Sequence, residues 1–195
     1  ANSPSSYSSY TMPLIVEDEI DEYPISVGIF GDPSKLIEGR ASNIIGRKII
    51  RTSKPSVTGL SRIESFFNAG NRQHYFVPCP YCKYKQMLLF SRKSLYAHVS
   101  KGYLQYSEDG KRIGYICGNC NKDIAERYKH YMLINGEWCA EKPEIIKDQS
   151  TQLSSLYSSL GLTWEKIVDD FLKAKATQNP EELRVVINER FAETF

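Results

Sequence analysis

The sequence predicts an α+β chain in three parts: residues 1–70 as a short α/β edge, 71–142 as a cysteine-bearing β ribbon, and 143–195 as a pair of amphipathic helices. Three observations carry this prediction. Two short β-branched runs, Leu14-Ile15-Val16 and Lys48-Ile49-Ile50-Arg51-Thr52, have the composition of buried strands. Four cysteines lie in two close pairs inside a stretch of alternating residues between 74 and 139. Beyond Pro143 the apolar residues recur at helical spacing.

Taken in order, Ser3–Tyr10 is rich in Ser and Tyr and reads as irregular. Leu14–Val16 is a strand running into acids. Pro33–Gly39 reads as a short helix closed by its glycine, and Lys48–Thr52 as a second strand broken by Ser53-Lys54-Pro55. Ser61–Ala69 places Ile63, Phe66 and Phe67 at helical spacing, with Gly70 as a stop. Tyr75–Val77, Met87–Phe90 and Ile113–Ile116 read as ribbon strands, with a loop near Gly102–Gly110. Trp164, Ile167, Val168, Phe171 and Leu172 form one helical stripe. Asn179-Pro180-Glu181-Glu182 then supplies a cap, a proline at the first helical position and acids in the first turn. Leu183, Val186, Ile187 and Phe191 are the stripe of the last helix.

Composition narrows the class. The 195 residues are 41% hydrophobic and 25% charged, which excludes wholesale disorder, a collagen repeat and a heptad rod. The longest uncharged stretches, Ala1–Val16 and Gln149–Trp164, are 16 residues each, short of the 18 or more apolar residues of a membrane span. No basic segment precedes an apolar one, so no secretory signal is read and a membrane partner is not expected. The net charge of +2 conceals blocks: −6 over Ala1–Glu38, +5 over Gly39–Lys54, and +6 over Lys83–His130, where six tyrosines are interleaved.

The cysteine spacing is the sharpest chemical signal. Cys79-Pro80-Tyr81-Cys82 and Cys117-Gly118-Asn119-Cys120 are C-x2-C pairs separated by 34 residues. Each pair fits a tight turn with both sulfurs on one side, and two such knuckles supply the four thiolates of a structural zinc site. Disulfides and a redox C-x-x-C are the rivals. The first lacks a secretory context, and the second needs no second pair. The residue after each pair is expected to be left-handed, a role that suits Asn121 better than Lys83. Cys139 reads as a small buried hydrophobe, and His74, His98 and His130 are not needed as ligands.

Leu14-Ile15-Val16-Glu17-Asp18-Glu19-Ile20-Asp21 has the form of a Walker B segment, an apolar strand that delivers an Asp towards a nucleotide-bound Mg²⁺ and a Glu towards water. Spacing alone also fits an acidic turn or helix start, and Glu17 stands where a buried strand prefers an apolar residue. The phosphate-loop pattern G-x-x-x-x-G-K-[ST] does not occur in these 195 residues.

Four stretches, in order, resemble the middle portion of the GpA-type (lambda-like) large subunit of phage terminase. They are Asp18-Glu19-Ile20-Asp21-Glu22-Tyr23-Pro24; Thr52-Ser53-Lys54-Pro55 with Gly59-Leu60-Ser61-Arg62-Ile63; Tyr75-Phe76-Val77-Pro78-Cys79-Pro80-Tyr81-Cys82; and Asn135-Gly136-Glu137-Trp138 with Leu156-Tyr157-Ser158. The resemblance implies an ATP-driven motor and endonuclease that packages viral DNA into proheads. It makes Asp18 the Mg²⁺-associated acid, Glu19 the catalytic glutamate, and Thr52 and Ser53 part of the motif that couples hydrolysis to movement. Lys54 stands where the family usually has Thr.

By this resemblance residues 1–70 are the C-terminal part of a RecA-like ATPase domain, from Walker B to the coupling motif. Residues 71–142 are a zinc ribbon, and 143–195 a helical connector towards a nuclease domain that the chain does not contain. The implied cofactors are structural zinc and, in the intact parent, Mg-ATP. The implied partners are double-stranded DNA, a terminase small subunit and the portal or prohead, with the intact motor an oligomer in the host cytoplasm. The chain alone is expected neither to hydrolyse ATP nor to cut DNA. The alternative is a non-catalytic zinc-ribbon module that binds DNA or protein. Under either reading Lys83, Lys85, Arg92, Lys93, Lys111 and Arg112 are candidates for phosphate neutralisation, or else simply solvate a ribbon with little core.

Overall fold

A computed structural model describes residues 12–195, so the irregular stretch read at Ser3–Tyr10 lies outside the described residues. The first strand, β1 (Leu14–Glu17), pairs in parallel with β2 (Lys48–Arg51), in register from Leu14 opposite Lys48 to Glu17 opposite Arg51. Helix α1 (Pro33–Ala41) lies between them. Asp32 caps it by accepting from the Ser34 and Lys35 amides, and Pro33 occupies its first turn. The helix runs through Gly39, where the sequence suggested its end, and stops at Ser42, whose amide and hydroxyl both donate to the Gly39 carbonyl. Helix α2 (Arg62–Ala69) has the expected ends, with Ser61 accepting from the Glu64 amide and Gly70 at the C-terminus.

Strand β3 (Gln73–Pro78) is central to the second sheet. It pairs with β8 (Glu137–Ala140) antiparallel, with β4 (Lys85–Gln86) antiparallel, and with β9 (Thr151–Gln152) in parallel. A third sheet is the antiparallel ladder of β5 (Tyr103–Tyr106), β6 (Ile113–Ile116) and β7 (Asp123–Ile124). The loop expected near Gly102–Gly110 is found in its second half: 103–106 belong to β5, and the turn falls at 107–112, where the Ser107 amide donates to the Arg112 carbonyl.

Met87–Phe90 is not a strand, although all four side chains are buried. Two buried tyrosine hydroxyls take the place of a ladder partner. Tyr157 Oη accepts from the Leu88 amide at 2.7 Å, and Tyr115 Oη accepts from the Leu89 amide and donates to the Met87 carbonyl. With one bond from β5, the Leu104 amide donating to the Leu89 carbonyl at 2.9 Å, these hydroxyls satisfy backbone polar groups without a continuous ladder, which an apolar run in the sequence does not reveal.

After α3 (Lys129–Ile134) and β8, the chain continues to α4 (Trp164–Ala176), capped by Thr163, and α5 (Pro180–Val186), capped by Asn179. The last stripe extends past α5 through a π turn at Ile187–Phe191. The main core joins the ribbon to these helices. It contains Val77, Leu88, Phe90, Leu104, Tyr115, Ile124 and Met132 together with Leu156, Trp164, Ile167, Val168 and Phe191. Trp164 is fully buried with its indole N–H donated to the Leu156 carbonyl, so its one polar atom is satisfied. This core runs without a break across positions 142 and 143.

Candidate metal centre and acidic strand end

The first knuckle follows directly from β3. The Cys79 amide donates to the Tyr84 carbonyl at 2.8 Å and the Lys83 amide to the Cys79 carbonyl at 3.0 Å. The second repeats it: the Cys117 amide donates to the Lys122 carbonyl and the Asn121 amide to the Cys117 carbonyl, both at 3.1 Å. Lys83 (φ 64°) and Asn121 (φ 56°) both hold the left-handed backbone expected after each pair. Lysine pays a modest steric cost for that conformation.

Across the two knuckles Cys79 Sγ lies 3.9 Å from Cys120 Sγ and Cys82 Sγ lies 3.7 Å from Cys117 Sγ; all four sulfurs are within 4.8 Å of one another. Tetrahedral Zn–S bonds of about 2.3 Å require sulfur separations of about 3.8 Å. The four thiols therefore surround a common centre of the right size, and none is in a disulfide. Burial pushes the Cys79 thiol up to about 12 and raises Cys117 as well, whereas the Tyr84 amide lowers Cys82 to about 6. A divalent cation is what makes four clustered thiolates affordable.

The surrounding residues fix the knuckles. The Gly118 amide donates to Gln86 Oε1 at 2.9 Å, and a Cβ at Gly118 would come within 2.7 Å of the Gly102 amide nitrogen, so only glycine fits. Asn119 Nδ2 points at Cys82 Sγ, 3.8 Å away. His74 is fully buried against Phe67 and Tyr96 and bonds Glu141, while His98 and His130 are exposed. Cys139 is half-buried, with its thiol towards Glu137.

The second group of residues gathers at the carboxyl ends of β1 and β2, where open α/β sheets place their ligands. Because the strands are parallel and in register, Asp18, Ile20 and Asp21 meet Thr52 and Ser53 directly, and Glu19 meets Lys54. The Thr52 hydroxyl donates to Asp18 Oδ1, the Ile20 amide donates to the Thr52 carbonyl at 3.3 Å, and the Asp21 amide donates to Ser53 Oγ at 3.1 Å. Glu19 holds a left-handed backbone (φ 50°), an uncommon state for a residue other than glycine. Glu17 is 1% exposed and pairs with Arg51, its register partner, through a 2.7 Å bond from Arg51 Nε. That pairing is why a carboxylate can occupy the inner face of β1. Arg51 in turn lies over the Phe66 ring.

Three further residues shape this end: Lys54, which the sequence marks as a departure from the family's Thr, and Arg62 and Asp21, to which sequence reading gave no role of their own. Lys54 Nζ lies 4.0 Å from Glu19, 3.9 Å from Glu22 and 3.5 Å from Glu189 of the C-terminal segment. Arg62 donates to the carbonyls of Ile20, Tyr23 and Pro24, tying down the turn after the acids. Asp21 accepts from the Ser56 hydroxyl and the Ile63 amide. No local pattern betrays these contacts, since each partner is more than 30 residues distant.

The six basic residues proposed for DNA are spread over the ribbon. Lys85 pairs with Glu137 at 2.5 Å and Lys111 with Asp109 at 3.7 Å. Arg92 lies over Tyr103, Lys83 bonds Tyr131 Oη, Lys93 is exposed, and Arg112 stands in the β5–β6 turn.

Comparison with known families gives two matches. Residues 1–138 match the family described as phage terminase large subunit gpA, ATPase domain, and residues 149–195 the one described as terminase large subunit gpA, endonuclease domain. No curated protein and no solved structure matches the chain. Among the described residues no helix is long and apolar enough to cross a membrane.

Proposed function

The chain belongs to the gpA family of phage terminase large subunits, and from that premise we propose that it carries the Walker B strand end and coupling turn of the packaging ATPase, braced by a zinc ribbon. The observation that carries this reading is the meeting of the Asp18–Asp21 turn with Thr52–Lys54 at the carboxyl ends of two parallel strands, Asp18 on Thr52, Asp21 on Ser53 and Glu19 on Lys54. No match favours the alternative of a stand-alone binding module.

In this reading the Thr52 hydroxyl holds one Asp18 oxygen and leaves the other to face a cation. Asp18 would hold the Mg²⁺ of Mg-ATP at one side of a RecA-like sheet, and that ion would supply neutralisation of the charge that develops on the phosphates. Glu19 projects from its left-handed backbone beyond the strand end, placed to orient and polarise a water. The Lys54 amide and ammonium both approach Glu19, so a change at Thr52–Pro55 alters the freedom of the general base. That link couples hydrolysis to movement through residues of this chain.

The four thiols fit zinc by donor type, number and spacing, and their role is to organise the ribbon. Double-stranded DNA, a terminase small subunit and the portal or prohead are the partners this reading assigns, with the motor an oligomer in the host cytoplasm.

The test has two parts. The 195-residue chain alone is expected to show no ATP turnover and no DNA cleavage; turnover by it would overturn the assignment. In a gpA protein carrying a phosphate loop, Glu19→Gln placed in this segment is expected to reduce ATP hydrolysis by roughly 10²–10⁴-fold with nucleotide binding retained. Unchanged hydrolysis would remove Glu19 from the mechanism.

A further inference from the structure

Around the two knuckles the fold concentrates cations on exposed tyrosines. Tyr81 is 42% exposed, Tyr84 39% and Tyr131 36%. Lys122 Nζ lies 5.2 Å from the centroid of the Tyr81 ring, whose edge contact with Tyr128 is at 5.7 Å. The Arg127 guanidinium is 5.2 Å from the Tyr128 ring. Lys83 Nζ is 5.0 Å from the Tyr131 ring and donates to its hydroxyl at 3.0 Å. The backbone and Cβ of Lys101 border Gly118 in the second knuckle. Cation–ring pairs of energetic weight occur about once per 70–80 residues; here four fall between positions 81 and 131, three of them beside the knuckles.

Charge balance separates this tip from the rest of the ribbon. Among the described residues no carboxylate pairs with Lys83, Lys101, Lys122 or Arg127, whereas Lys85, Lys111 and Lys129 each have one. A zinc ion with four thiolates carries a net charge of about −2, which offsets only part of the four cations. The rings hold three of these cations in place, so positive charge is presented beside aromatic surface rather than dispersed in solvent.

That combination fits a particular polyanion. Cations neutralise phosphates, and exposed tyrosine faces stack on bases that are not already paired and stacked in a duplex. We propose that the knuckle tip binds single-stranded nucleic acid, with phosphates on Lys83, Lys101, Lys122 and Arg127 and unpaired bases on Tyr81 and Tyr131. The proposal does not rest on the ATPase reading, because every residue in it belongs to the ribbon.

The experiment is fluorescence anisotropy of the zinc-loaded 195-residue chain with a labelled 20-nucleotide oligo-dT and with a duplex of equal length, at several salt concentrations. The single strand is expected to bind at least about 10-fold tighter than the duplex. Tyr81→Ala and Tyr131→Ala are each expected to weaken it by roughly 10-fold, with Tyr81→Phe near wild type. The double variant Lys122→Gln, Arg127→Gln should lower the slope of log affinity against log salt by about 1.4. Lys175→Gln, on α4 and outside the ribbon, should change nothing. Zinc content and circular dichroism report folding; if a tyrosine variant misfolds, the salt slope of the charge variant decides. Absence of binding, equal or tighter duplex binding, or an equal effect of Lys175→Gln would each overturn the proposal.

Discussion

The segment before α2 and the ribbon with its helices solve the burial problem in opposite ways. The ribbon and helices share one core in which Trp164, Tyr115, Ile124, Met132, Leu156 and Ile167 are essentially inaccessible. None of residues 12–70 belongs to that core. The β1–β2 pair leaves Leu14, Val16 and Ile50 about half exposed, and Ile25, Ile29 and Ile45 are at least 90% exposed. Parallel strands ordinarily have both faces covered, so this pair has the form of a sheet edge with one face unmet. What orders it is polar: the Glu17–Arg51 pair, the Arg62 bonds to three carbonyls, and the Asp21 contacts. Beyond the few buried side chains Ile15, Ile20, Ala41 and Phe67, this segment holds the geometry of its acidic turn by hydrogen bonds.

The largest expected difference between the two regions follows removal of the metal. Chelation should unfold the ribbon cooperatively, since comparable sites contribute on the order of 10 kcal/mol. Trp164 fluorescence should shift to the red, while hydrogen exchange in β1 and β2 changes much less. Equal loss of protection in both would erase the distinction.

Next in size, Trp164→Ala should cost about 3–5 kcal/mol through a core cavity, read as a lowered denaturation midpoint. Arg51→Met should cost a similar amount but locally, because it strands Glu17 in a buried position. Adding Glu17→Met should recover most of that loss, whereas an unimproved double variant would mean the pair is not what holds β1 to β2.

A smaller effect is pH-dependent. Burial lowers the His74 pKa below 6.5, despite its bond to Glu141. The unfolded chain therefore binds the proton more readily, and stability falls as pH drops from 6.5 towards the lowered value, with no further loss below it. His74→Gln should flatten that limb of a stability–pH curve. The smallest expected change is Lys54→Thr, whose exposed ion pairs should alter stability by no more than about 1 kcal/mol.

Legibility in the sequence followed the range of the interaction. Cys79, Cys82, Cys117 and Cys120 were readable because the chemistry sits in local spacing, and the structure brings their sulfurs to one centre. The caps at Ser61, Thr163 and Asn179 were equally local, and the first and last of them mark helix starts that the sequence placed. Asp18 and Thr52 were joined through family resemblance, and the parallel register supplies the contact. Met87–Phe90 misled because its backbone partners are hydroxyls of Tyr115 and Tyr157, far along the chain. Glu17 looked anomalous only until Arg51 was placed opposite it.

Ser56 has a place in both halves of the molecule. Its hydroxyl donates to Asp21 at 2.6 Å, and its carbonyl accepts from Asn188 Nδ2 at 2.8 Å and from the Phe195 amide at 3.2 Å. The stretch matching the ATPase-domain family and the stretch matching the endonuclease-domain family thus bond the same residue, one at its hydroxyl and the other at its carbonyl. The acidic turn and the C-terminal tail are joined at this serine, through the side chains of Asp21, Ser56 and Asn188 and one backbone bond from Phe195, so a substitution at position 56 is felt at both.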